Sequence, residues 1–166
     1  MRRLIVLGFG ALGVAACGSS NTGPDAEITT YNCAADTRAE TYTAGDEHMG
    51  LGGTIDVKLL SSDPAPPARG NNSWVILLSA MSNGVVGAPM DGMANDITVT
   101  PYMPDHMHGT PILVGVTPVD GQTGEYTLTP VNLWMPGLWE TTIAVSEMSG
   151  SAMTTDRVVY NFCLSE

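Results

Sequence analysis

TIDVKLLSSDPAPPARGNNSWVILLSA, residues 54–80, holds two strands and the loop that parts them. Over Thr54–Leu60 apolar and polar residues alternate. Ile55, Val57 and Leu59 share one face, and Thr54, Asp56 and Lys58 the other, which is the period of a half-buried strand. In Asp63–Asn72, Pro64, Pro66 and Pro67 remove backbone donors, so this stretch cannot sit inside a sheet ladder. Ser73–Ala80 (SWVILLSA) is apolar on both faces, as a central strand covered on both sides would be.

The same rhythm continues towards the C-terminus. Ser82-Asn83-Gly84 reads as a turn. Ile97–Thr100 alternates again, and Ile112–Thr117 follows a proline-flanked loop. Asp120–Gly124 turns the chain into Tyr126–Val131, and Met135-Pro136-Gly137 turns it into Trp139–Ser146. There Trp139, Thr141, Ile143 and Val145 fall on one face, and Arg157–Cys163 (RVVYNFC) closes the domain. No window keeps a helical period with caps. About seven strands at regular spacing predict an all-β sandwich. Tyr126 and the tryptophans Trp74, Trp134 and Trp139 are its expected core anchors.

Upstream, Arg2-Arg3 precede an uncharged run, Leu4–Ala16 (LIVLGFGALGVAA). It has the length of a signal-peptide core and falls short of the roughly 20 residues that span a bilayer. Gly8, Gly10 and Gly13 weigh against a core helix. Val14-Ala15-Ala16-Cys17 reads as a lipobox with the Cys17 thiol as acylation site. Gly18, where an Asp would signal retention in enterobacteria, favours the outer membrane over the inner. The expected organisation is a lipoprotein signal peptide (1–16), a lipidated tether (17–30, small and polar) and one β-sandwich domain (31–166) facing the periplasm.

Removing 16 residues from 166 leaves 150, enough for one domain with a real core. Arg2 and Arg3 leave with the signal, so four of the six basic residues face 17 acidic ones, a net charge of −13 with His neutral. Such a polyanion repels nucleic acid and anionic headgroups, excludes nucleic acid as a partner, and attracts cations. Membrane contact is then through the lipid alone. With Cys17 acylated, Cys33 and Cys163 remain. They form a thiolate metal pair, two free thiols or a disulfide; an oxidising envelope favours the disulfide.

Phosphate-loop, GxSxG and HExxH patterns are missing, and the chain reads as a binding domain and not an enzyme. Turn aspartates Asp91, Asp96 and Asp120 form no DxDxDG calcium loop. One segment stands out, Pro101-Tyr102-Met103-Pro104-Asp105-His106-Met107-His108-Gly109. Imidazole suits copper and zinc, thioether favours Cu(I), and the Met–His mixture tilts towards copper. In extended backbone His106 and His108 point to one side and can share an ion, with Met103 or a distant methionine as third ligand. Met90, Met93 and the pair His48-Met49 are further candidates from neighbouring loops.

Residues 71–145 resemble the YtkA-like/FixH-type family of small envelope domains. The resemblance rests on Trp74, on Met103-Pro104-x-His106-Met107-His108-Gly109, on Gly124-x-Tyr126, and on Met135-Pro136-Gly137-Leu138-Trp139. It implies an immunoglobulin-like Greek-key sandwich anchored outside the cytoplasmic membrane and a role in copper handling. Its loop falls on Met103, His106, Met107 and His108. FixH-type members are held by a transmembrane helix, whereas a lipid anchor resembles the YtkA type. Met107 stands where a small residue such as Gly is expected. The leading expectation is a copper chaperone or buffer holding Cu(I). The alternative is a metal-free module that docks another envelope protein. Met135 and Trp139 read as structural, a turn followed by a core tryptophan.

Overall fold

The computed structural model describes residues 30–165, so the signal peptide, Cys17 and nearly all of the tether lie outside the described residues. A single 3-10 turn at Cys33–Ala35 precedes the strands. The strands are β1 (Asp46–Met49), β2 (Ile55–Asp63), β3 (Gly70–Ser82), β4 (Val85–Pro89), β5 (Ile97–Met103), β6 (His108–Gly109), β7 (Gly115–Pro118), β8 (Glu125–Leu133), β9 (Gly137–Ser149) and β10 (Ala152–Leu164). One sheet runs β1-β2-β3-β8-β7 with β4 beside β3, and the other runs β10-β9-β5-β6. Every pairing is antiparallel. The chain changes sheet between β4 and β5, β6 and β7, and β8 and β9, which sets β3 beside β8 and β5 beside β9. Chain neighbours thus face each other across a core, as expected of a Greek-key sandwich. No α-helix occurs among the described residues.

Alternation places the side chains as the sequence predicts. Ile55, Val57 and Leu59 are buried, as are Trp139, Thr141, Ile143 and Val145 on β9. Trp74, Tyr126, Trp139 and Tyr160 fill the centre. The two tyrosine hydroxyls are satisfied there by carbonyls, Tyr160 donating to Val57 (2.7 Å) and Tyr126 to Met90 (2.7 Å). Burying a phenol tip without a partner costs free energy of the order of 1–3 kcal/mol, and these bonds offset that. Asn83 and Gly84 both have positive φ (53° and 75°), the conformation a two-residue hairpin demands.

Three expectations need correction. Among the described residues there are ten strands and not about seven, because β1, β4 and β6 are short pieces with no apolar alternation of their own. Ser73–Ala80 is covered on one face only. Trp74, Ile76 and Leu78 enter the core, while Val75 and Leu77 lie half-buried on the outer face. Leu77 is paired there with Lys58 and Glu125, whose aliphatic stems shield it. Finally, Trp134 is 42% exposed. It follows the last residue of β8, where alternation no longer turns side chains inward.

Cys33 and Cys163 are joined in a disulfide, with Cα atoms 5.5 Å apart. The bridge pins the segment ahead of β1 to β10. That segment then crosses one end of the four-stranded sheet, reaching from β10 to the β5–β6 connection.

Candidate functional site

The β5–β6 connection carries the histidine-rich segment. Met103 is the last inward residue of β5 and is fully buried. The chain reverses at once, with the His106 N–H donating to the Met103 carbonyl (3.3 Å). It returns as β6 with Tyr102 opposite Gly109 and Met103 opposite His108. The segment is therefore a tight turn and not extended backbone. Pro104 cannot donate to a ladder, and Met107 sits at φ 55°, in the left-handed region. Such a conformation costs a side-chain-bearing residue about 1 kcal/mol, which is why a small residue such as Gly is the natural occupant. At Gly109 a Cβ would lie 2.8 Å from the Pro101 carbonyl oxygen, so only glycine lets the two strands close.

The turn brings the two imidazoles together all the same. The His106 and His108 ring centres are 5.7 Å apart and tilted by 51°. With metal–nitrogen bonds of about 2 Å, two imidazoles sharing one ion hold their ring centres roughly 5–6 Å apart. His108 Nδ1 lies 3.1 Å from the Gly109 carbonyl oxygen, which can only accept, so in the neutral ring Nδ1 carries the proton and Nε2 the lone pair. The His108 ring stacks on Trp134 at 5.4 Å, which fixes its plane. Met107 is 81% exposed on the same turn. The two imidazole nitrogens thus fit one shared soft ion, and the exposed Met107 thioether on the same turn is a third donor of matching softness. Met103 does not share that exposure, since its methyl group lies against Gly137 inside the core.

A polar clamp holds the turn from outside. Arg38 donates from Nη1 to Asp105 Oδ1 (2.8 Å) and from Nη2 to Oδ2 (2.7 Å), a two-pronged grip. Arg38 also grips Asp36, and the Tyr31 hydroxyl bonds Asp36 (2.8 Å) and Asp105 (3.0 Å). The Arg38 guanidinium and the Tyr31 hydroxyl hold the Asp105 and Asp36 carboxyls below their ordinary range. The Tyr31 phenol is pushed up to about 12 by its bond to Asp36, by burial and by Asp105. Both carboxylates therefore stay charged, and the clamp persists at any ordinary pH. Arg38, Tyr31 and Trp134 give no signal in the sequence, because each meets the turn only through the fold.

The remaining candidates do not converge on the turn. Met90 and Met93 pack against the core, where the Tyr126 hydroxyl bonds the backbone of both. His48 lies on β1 beside β10, at the opposite edge from β6, and Met49 points the other way, 61% exposed.

The YtkA-like family model matches residues 53–144. That stretch runs from the start of β2 into β9, includes the histidine turn, and leaves out β1, β10, both disulfide cysteines and Arg38. No curated protein and no solved structure matches the chain. The match covers more than half of the sequence, and on that ground the chain belongs to the YtkA-like family.

Proposed function

We propose that this protein is an envelope lipoprotein, acylated at Cys17, whose sandwich carries copper on the turn that holds His106, Met107 and His108. The observation that supports the reading is the pair of imidazoles at a sharing distance, one of them with its Nε2 lone pair freed by a carbonyl bond. Two nitrogens and one exposed thioether make a low-coordinate soft set, which favours Cu(I) over zinc. Met103 acts beneath the turn as packing. The net negative charge of the chain draws cations to such a site. The protein then works as a chaperone or buffer: an exposed, few-coordinate ion passes by ligand exchange to a partner with a similar soft site.

The full chain, purified in detergent, is titrated with Cu(I) against a chromogenic chelator. One equivalent is held in competition, and it is lost in the double variant His106→Ala/His108→Ala with the fold intact, since both rings lie outside the core. Unchanged affinity in that variant overturns the site. Mass spectrometry of Cys17 with and without acyl chains tests the anchor, and Cys17→Ser releases the protein from membranes.

A docking module without metal is the second reading, and one observation favours it. Leu113 is 91% exposed and Ile112 40%, and they follow the turn just past Thr110, whose hydroxyl bonds Asn132. An apolar rim of this kind suits a protein partner. A protein that holds no copper in the titration would be left with this reading alone.

A further inference from the structure

A second group of ligand-bearing side chains lies at the far edge of the sandwich, outside the residues that define the family. Glu40, Asp46 and His48 each present one ligand atom, and these three atoms lie within 4.8 Å of one another. Three separate parts of the fold build the group. Asp46 and His48 alternate along β1 and so project to the same side. Glu40 is placed from β10: its backbone N–H donates to the Asn161 carbonyl (2.7 Å), and its Oε1 accepts from the Asn161 backbone (3.2 Å) and side-chain amide (3.1 Å).

His48 is oriented with equal care. Its ring stacks on Tyr160 at 4.2 Å and 24°. Its Nδ1 lies 2.9 Å from the Val159 carbonyl oxygen, so Nδ1 carries a proton and Nε2 points at the two carboxylates. Nε2 is 3.3 Å from Glu40 Oε2 and 3.4 Å from Asp46 Oδ2. In a tetrahedral zinc site with bonds of about 2.0–2.2 Å, neighbouring ligand atoms stand roughly 3.3–3.5 Å apart. Glu40 Oε2 is also buried and faces no N–H or O–H donor beyond His48 Nε2 at 3.3 Å, which offers only a lone pair when the ring proton sits on Nδ1. A buried carboxylate oxygen without a donor is costly unless a cation meets it. The side chains keep 25–35% exposure, which leaves a path for the ion and room for a water as fourth ligand.

We infer that Glu40, Asp46 and His48 form a divalent-cation site of zinc type, separate from the histidine turn. One nitrogen and two hard oxygens suit Zn(II) and exclude Cu(I), which prefers sulfur and nitrogen. The inference does not depend on copper binding at the turn. Its role is to tie β1 to β10 through the segment that follows the disulfide. The simpler alternative is a plain ion pair between a protonated His48 and the two carboxylates.

Equilibrium dialysis of the full chain in detergent against zinc chloride, with bound metal counted by elemental analysis, tests it. The expected result is one zinc retained in the double variant His106→Ala/His108→Ala, and affinity at least tenfold weaker in Glu40→Gln and in Asp46→Asn. These two substitutions keep size and hydrogen bonding, so a normal thermal melt shows that loss of zinc is not loss of fold. Zinc retained in that double variant and weakened by neither substitution at Glu40 or Asp46 overturns the assignment. So does a double variant that binds no zinc at all, since the cluster is then an ion pair only.

Discussion

Reducing the Cys33–Cys163 bond should remove a large part of the stability of the domain. The two cysteines are 130 residues apart in sequence. Closing a ring of that size restricts the unfolded chain by about 5 kcal/mol in the chain-entropy model. A whole domain is stable by only about 5–15 kcal/mol, so the bridge matters. An opposing effect reduces the figure. The 3-10 turn that carries Cys33 buries no residue, and the stretch Tyr31–Arg38 around it is held mainly by the ion pairs of Arg38 with Asp36 and Asp105. In the reduced protein that segment detaches and recovers conformational entropy, which leaves a net loss of roughly 3–5 kcal/mol. For a domain of this size that lowers the melting temperature by roughly 10–20 °C. The assay is thermal unfolding followed by near-ultraviolet circular dichroism, to which the buried Trp74 and Trp139 contribute, with and without reductant and in Cys33→Ser/Cys163→Ser. A reduced protein that melts within about 2 °C of the oxidised one would refute the reasoning, because the unfolded chain would then be as restricted without the ring.

Three further outcomes follow from the structure. Asp56 is 2% exposed with Oδ1 unpartnered, and burial, then the hydrogen bond and charge of Glu47, push its carboxyl from 3.8 to about 6. A raised folded value means that its contribution to stability is full below pH 4 and is lost as the pH rises through 6. Asp56→Asn should therefore stabilise the fold by about 1–3 kcal/mol at neutral pH and leave it unchanged near the ordinary carboxyl value, and equal shifts in urea melts at both pH values would contradict this. Met107→Gly removes the left-handed penalty and should leave the melt equal or higher, by up to about 1 kcal/mol, while weakening Cu(I) affinity; unaltered affinity takes Met107 out of the ligand set. Asp105→Ala releases Arg38 and should leave the melting temperature nearly unchanged while amide exchange over residues 105–108 quickens severalfold; unchanged exchange there would mean that the clamp does not hold the turn.

What the sequence disclosed and what it hid follow one physical division. Strands whose burial comes from their own alternation, such as Ile55–Leu59 and Trp139–Val145, were legible because period two is written into the residues. β1 (Asp-Glu-His-Met) and the wholly exposed β4 owe their existence to a neighbouring edge, and nothing local marks them. Trp134 looked like a core anchor by type, but its place just past the end of β8 sends it to the surface, where His108 uses it. The histidine turn was visible because its ligands are contiguous. Its clamp was not, because Arg38 lies 67 residues from Asp105 and reaches it by way of the disulfide-pinned segment. Glu40 carries no local mark for the same reason, since Asn161 aims it from the other end of the chain.

The position of Cys33 between Tyr31 and Arg38 has a mechanical consequence. A pull on the chain ahead of Tyr31 first peels that tyrosine from Asp36 and Asp105. At Cys33 the load passes through the sulfur atoms into β10, where it spreads across the ladder to β9. Arg38 lies beyond that junction, inside the covalent ring, and carries no tension. Its grip on Asp105 is thus shielded from any strain in the leading chain, and the histidine turn keeps its shape while the domain hangs from β10.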